Sequence, residues 1–126
     1  EQDILGYAKA LTSIGVTGVL PTAKEDAFEA IASVMDQDYE GAVIYGIHSE
    51  GPFWARGGEN TVGASWPSPN VEETERLIEK AGGKMKVMAI APEQDTHRIS
   101  MMQQKRLDLI LLHILETECG EFITET

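Results

Sequence analysis

The sequence predicts an α/β protein built from parallel (β/α) units that form part of a TIM-type barrel. Segments with helical spacing of apolar residues alternate with short runs that are apolar throughout, as in parallel strands covered by helices. Polar residues follow each apolar run directly, which is typical of barrels whose chemistry lies on the loops after the strands. A doubly wound sheet fits this pattern almost as well.

The first half of the chain predicts two helices and two strands. Apolar residues at helical spacing predict a first helix that ends at Gly15, and residues 16–20 predict a strand closed by Pro21 and Thr22. Either Thr22 or Asp26 is suited to cap the second helix. The inward-facing stripe of that helix comprises Ala27, Phe28, Ile31, Ala32 and Met35.

The second strand, predicted over residues 42–48, leads into a Gly-Pro turn directly after Glu50. Since ligands bind at the carboxyl ends of parallel strands, we expect Glu50 to lie at the rim of an active site. His48 precedes it by two residues, so an extended backbone directs both side chains to the same side. His48 is either a pocket residue that supports Glu50 or a histidine with a purely structural role.

A long loop separates this strand from the next helix. Residues 51–70 contain four Gly, three Pro and two Trp, whereas a compact α/β unit typically uses a connection of about 4–6 residues. Asn70 is a suitable cap for a third helix that ends at Gly82 and Gly83. Residues 85–91 predict a third strand, and a long helix is predicted over residues 95–119.

Charge and composition bear on partners and location. The formal net charge of −11 argues against nucleic acid or an anionic membrane as a partner. Apolar runs fall short of the ~20 residues that a bilayer span needs, and no charged-then-apolar leader is present. One cysteine fits a reducing compartment, so we expect a cytoplasmic protein. Because the chain begins with Glu1 inside a predicted helix, we expect it to be part of a longer protein.

Several motifs occur in an unbroken order between residue 3 and about residue 93. They are GVTGVLPT, GIHSEGPF, the glycine-rich loop ending in GASWP, the helix VEETERLIEKAGG and a strand ending in APE. This order resembles the N-acetylglucosamine-6-phosphate deacetylase family of the amidohydrolase superfamily. We therefore treat residues 1–93 as a partial barrel, and residues 94–126 as a divergent, mainly helical tail that packs on the same domain.

The resemblance implies a metal-dependent deacetylation of N-acetylglucosamine 6-phosphate, an amino sugar phosphate. It implies that Glu50 binds a divalent metal, commonly zinc, together with two histidines from later strands, and that Ala64 and Ser65 contact the sugar phosphate. The general base of the family is an aspartate beyond the end of this chain, so we expect no catalytic residue within it.

Two further expectations follow, and two alternatives stay open. Without the histidines and the aspartate, this chain alone should be inactive, and its open strand edges predict self-association. The alternatives are a non-catalytic module that binds sugar phosphates or other proteins, and a different amidohydrolase that acts on another N-acyl substrate. Trp54 and Trp66 in the loop either stack on a sugar or fix the loop to the rim.

Overall fold

The computed structural model of the chain describes residues 1–54, 66–91 and 110–113. The α-helices in these ranges are α1 (Gln2–Ser13), α2 (Phe28–Met35) and α3 (Val71–Lys80). The strands are β1 (Gly18–Val19), β2 (Thr22–Ala23), β3 (Val43–Ile44), β4 (Ile47–Ser49), β5 (Met85–Ile90) and β6 (Ile110–His113). None of the described helices is long and apolar enough to span a membrane.

Every strand pair in the described residues is parallel. One sheet pairs β1 with β3, and the other has the order β2-β4-β5-β6, so that neighbours follow the order of the chain. Helix α2 lies between the first and second strand segments, and α3 lies between the second and third. The α/β class with parallel strands is thereby confirmed, while the described part of the chain forms open sheets and no closed barrel.

Each of the first two predicted strands consists of two shorter pieces, which corrects the sequence-based boundaries. The first is interrupted at Leu20 and Pro21, because proline has no backbone N–H to donate to a ladder. The second is interrupted at Tyr45 and Gly46. This break changes the side on which residues point, so Ile44 and Ile47 are both buried although they are three positions apart.

The hydrophobic core lies between the helices and one side of the sheets. Phe28 of α2 and Leu77 of α3 pack in one cluster with the strand residues Ile47 and Met88, and each of the four is at most 1% exposed. The other side of the sheets is partly open to solvent, and we call it the open face. It carries Leu20, Val43 and Tyr45, which are 42%, 48% and 65% exposed.

The start of α3 is as predicted, whereas the start of α2 is not. Asn70 caps α3, because its Oδ1 accepts a hydrogen bond from the backbone N–H of Glu73 at 2.7 Å. Neither Thr22 nor Asp26 caps α2: Thr22 lies in β2, and Asp26 lies in a short 3-10 turn, Glu25–Ala27, that leads into the helix.

The predicted helix over residues 95–119 is wrong at residues 110–113. These residues form β6, which pairs in parallel with β5 and places Ile110 opposite Val87. When nearly every residue of a segment is apolar, the spacing of its apolar residues does not distinguish a buried strand from a buried helix. Here the strand state comes from pairing with the edge of β5. The remainder of the predicted helical tail lies outside the described residues.

Candidate functional site

Glu50 lies at the carboxyl edge of the larger sheet. Its backbone N–H donates to the carbonyl oxygen of Ala23 at 2.8 Å, which extends the β2–β4 ladder one residue beyond Ser49. The Glu50 side chain is exposed at this edge. This is the position that the sequence indicated, and the role of Glu50 as a metal ligand stays a prediction.

The turn after Glu50 folds over the end of β5. Gly51 has a φ of +79°, and the Gly51-Pro52 peptide bond is cis. The carbonyl oxygen of Phe53 accepts a hydrogen bond from the backbone N–H of Ala91 at 2.9 Å. The indole of Trp54 packs against Gly51, and the two roles considered for it, stacking on a sugar or fixing the loop, stay predictions.

His48 and Thr22 form a hydrogen-bonded pair beside this edge. They lie opposite each other in the β2–β4 ladder, and Thr22 Oγ1 is 3.0 Å from His48 Nδ1. The other ring nitrogen, Nε2, is buried and has no partner among the residues that the structure describes. The sequence offered Thr22 only as one of two candidate helix caps, although its place directly after an apolar run, as in the motif LPT, was a signal for this site.

The donor atoms in the described ranges fit a metal site only in part. An exposed carboxylate at a strand end suits one ligand position for a divalent cation. Across residues 1–54, 66–91 and 110–113, however, no group of three or more His, Cys, Asp and Glu side chains is able to hold a metal ion. Because a catalytic zinc site usually has three protein ligands, a zinc ion bound at Glu50 would need further ligands from outside these ranges.

Several predicted site residues are not brought together here. Ala64 and Ser65, expected to contact the sugar phosphate, lie outside the described residues.

A groove of about 550 Å³ lies on the helical side, lined in part by Glu29, Asp36 and Lys84. None of Thr22, His48 and Glu50 lines that groove, so we do not assign the site to it.

The described strands are those of a parallel α/β protein, and Glu50 places a carboxylate at the carboxyl edge, where ligands commonly bind in such folds. Over 58 residues, or 45% of this chain, the sequence is 38% identical to N-acetylglucosamine-6-phosphate deacetylase of Bacillus subtilis (strain 168). The match spans 15% of the length of that relative. No protein-family model matches the chain.

Proposed function

We propose that this chain is part of a metal-dependent hydrolase that removes the acetyl group from N-acetylglucosamine 6-phosphate or a close analogue. In the reaction, water adds to the acetamide carbonyl carbon and the C–N bond breaks, giving acetate and the free amine. The observation that carries the proposal is the position of Glu50, exposed at the carboxyl end of a parallel strand inside the motif HSEGPF. The similarity to the Bacillus subtilis deacetylase supports the same reaction.

In this proposal, Glu50 contributes one carboxylate ligand to a divalent metal, which we expect to be zinc. A bound zinc ion supplies a water of lowered pKa and polarises the acetamide carbonyl. Glu50 is suited to this role because the Ala23–Glu50 backbone hydrogen bond fixes its main chain while its side chain stays free to turn. Ala64 and Ser65 are the proposed contacts to the sugar phosphate, and the proposed scaffold is a section of a (β/α) barrel.

The proposal assigns metal binding, and not complete catalysis, to these 126 residues. Within the described ranges Glu50 is the one proposed ligand, which is fewer than the three protein ligands that a catalytic zinc site usually has. The chain should therefore bind zinc weakly through Glu50 and release no acetate by itself. Activity requires the additional ligands and the general base that the family resemblance places beyond this chain.

The test compares zinc binding by the wild-type chain, Glu50→Gln and Glu75→Gln. Glu75 is an exposed glutamate on α3 and serves as the matched control. Zinc is titrated into isotope-labelled protein, and signals of residues around the β4 end are followed by NMR. We expect local shifts in the wild type and in Glu75→Gln that are absent in Glu50→Gln.

Two results contradict separate parts of the proposal. Zinc-induced shifts that persist unchanged in Glu50→Gln would exclude Glu50 as a ligand. Release of acetate from N-acetylglucosamine 6-phosphate by the purified chain, abolished by a chelator, would show that no further segment is needed. Binding of the sugar phosphate that a chelator leaves unaffected would instead favour a non-catalytic binding module.

A further inference from the structure

The hydrogen bond between Thr22 and His48 connects the two neighbouring strands that end at the carboxyl edge. The two residues are directly opposite in the parallel ladder, and the bond joins Thr22 Oγ1 to His48 Nδ1 at 3.0 Å. Its position is reinforced from the backbone, because His48 N–H donates to the carbonyl oxygen of Pro21 at 3.0 Å. This arrangement occupies one of the two nitrogens of the imidazole ring.

The second nitrogen, His48 Nε2, is buried without a hydrogen-bond partner in the described part of the chain. Leaving a buried polar atom unpaired is unfavourable, and such an atom in a native protein calls for an explanation. Because Nδ1 already contacts Thr22, the ring has only Nε2 left to interact with another group. A partner for Nε2 is therefore to be sought on the same side of the sheet.

Glu50 is the acidic residue nearest to His48 in the sequence, which makes it a candidate partner for Nε2. On an extended backbone, the side chains of His48 and Glu50 point to the same side because the residues are two positions apart. Their α-carbons are then about 6.6 Å apart. The Glu50 backbone is held by Ala23, so an approach of its carboxylate to the ring has to come from rotation of the exposed side chain. On the next strand, Val87 lies opposite His48, and its side chain has no polar atom.

We infer that Thr22 is a positioning residue whose hydroxyl donates a hydrogen bond to His48 Nδ1. The ring then carries its proton on Nε2, and this N–H donates a hydrogen bond to the Glu50 carboxylate. A neutral imidazole that accepts at Nδ1 is a donor at Nε2. Carboxylates that bind metals are usually oriented by such hydrogen bonds, and losing one typically lowers metal affinity about 10–100-fold. This inference rests on the proposed role of Glu50 as a metal ligand.

The first test reads the position of the ring proton without metal. The full 126-residue chain is labelled with ¹⁵N, and the imidazole nitrogens of His48 are observed by NMR at a pH where the ring is neutral. We expect the proton on Nε2 in the wild type, a displaced Nδ1 signal in Thr22→Val, and a wild-type Nδ1 signal in Thr22→Ser, which keeps the hydroxyl. If His48 of the wild-type chain carries its proton on Nδ1, the inference is wrong, and the proposed role of Glu50 as a metal ligand is unaffected.

The second test adds Zn²⁺ and uses the shifts of His48 and Glu50 to obtain the affinity. We expect Thr22→Val to bind Zn²⁺ about tenfold or more weakly than the wild type, Thr22→Ser to match the wild type, and Glu50→Gln to lose the response. Circular dichroism establishes that each variant is folded.

The outcomes separate the inference from the proposed function. Equal Zn²⁺ affinity in Thr22→Val and the wild type, with binding lost in Glu50→Gln, contradicts only the positioning role of Thr22. Wild-type affinity in Glu50→Gln contradicts the proposed function. A wild-type chain that shows no response to millimolar Zn²⁺ contradicts both.

Discussion

Gly51 is the residue on which the turn behind Glu50 depends. Its φ of +79° lies in the left-handed region, and a Cβ at this position would be 2.2 Å from Nε1 of Trp54. Backbone conformation and space therefore both require glycine. This turn sets the direction in which the chain leaves the carboxyl edge of the sheet.

We expect Gly51→Ala to lower the free energy of unfolding by more than about 1 kcal/mol, because strain at positive φ and the contact with Trp54 act together. The matched control is Gly15→Ala. Gly15 has a φ of +86° but no atom within 4 Å of the added Cβ, so it shares the strain without the contact. Denaturant unfolding measures both variants, and equal losses would show that the Trp54 contact carries no energy.

The candidate site illustrates which residues a sequence reveals. Glu50 was predictable because an apolar run, an acidic residue and a Gly-Pro turn follow each other along the chain. The contact of Thr22 with His48 was not, since it spans 26 positions and depends on the register of the ladder. A register is set by the packing of a whole strand pair, which no local pattern contains.

At the scale of elements, α3 is held by signals that lie next to one another in the sequence. Asn70 caps its first turn, and Glu72 and Glu73 place negative charge where the helix dipole favours it. Asn70 also accepts at its backbone oxygen from the hydroxyl of Thr74 at 2.8 Å. These local signals explain why the start of α3 was predicted correctly.

We expect Asn70→Ala to lower the free energy of unfolding by about 0.5–2 kcal/mol, the usual cost of losing a side-chain cap. Asn70→Asp is the matched control, because its carboxylate is able to accept the same hydrogen bond from Glu73 N–H. Chemical denaturation followed by circular dichroism compares the two variants with the wild type. A loss in Asn70→Asp as large as in Asn70→Ala would contradict the capping role.

A network of charged residues fastens α3 to the segment after β2. Arg76 pairs with Glu25 at 2.8 Å and with Glu73 at 2.7 Å, and Lys80 also reaches Glu25 at 3.0 Å. The hydrogen bonds from Arg76 and then from Lys80 lower the pKa of Glu25 from 4.5 to about 2. Hydrogen bonding to Arg76 lowers the pKa of Glu73 as well.

The network makes stability depend on pH in the acid range. The pKa of Glu25 is lower in the folded chain than its ordinary 4.5. The contribution of ionised Glu25 to the free energy of unfolding is therefore complete above pH 4.5 and is lost as the pH falls towards about 2.

We expect Arg76→Gln to raise the pKa of Glu25 towards its ordinary value, measured by NMR titration of its carboxylate. Lys9→Gln is the control, since Lys9 pairs with the exposed Glu40 at 3.7 Å and lies outside the Glu25 network. An unchanged Glu25 titration in Arg76→Gln would refute the network.

The elements that were predicted with wrong bounds are those whose limits depend on neighbouring strands. Residues 85–91 read as a continuous buried strand, and β5 is one. Residues 110–113 are equally apolar, but their strand state depends on pairing with β5, which the sequence does not show. The division of the first strand at Pro21 follows from its missing N–H and was readable in principle.

At the scale of the whole molecule, the sheets have helices on one side and the open face on the other. Parallel sheets are almost always covered on both sides, yet Val43 and Tyr45 of this face are 48% and 65% exposed. The match to the Bacillus subtilis deacetylase spans only 15% of that protein. Barrel closure, which would cover this face, remains part of the proposal.

We propose that the isolated chain covers the open face by associating with a second copy, because burying exposed apolar surface is favourable. Sedimentation velocity should show association that increases with concentration. Tyr45→Lys should shift the chain to monomer. Ile14→Lys, at the exposed C-cap residue of α1 and outside the open face, should leave the association unchanged. A wild-type chain that stays a compact monomer at high concentration contradicts self-association. Dissociation by Ile14→Lys and not by Tyr45→Lys would move the interface from the sheet to α1.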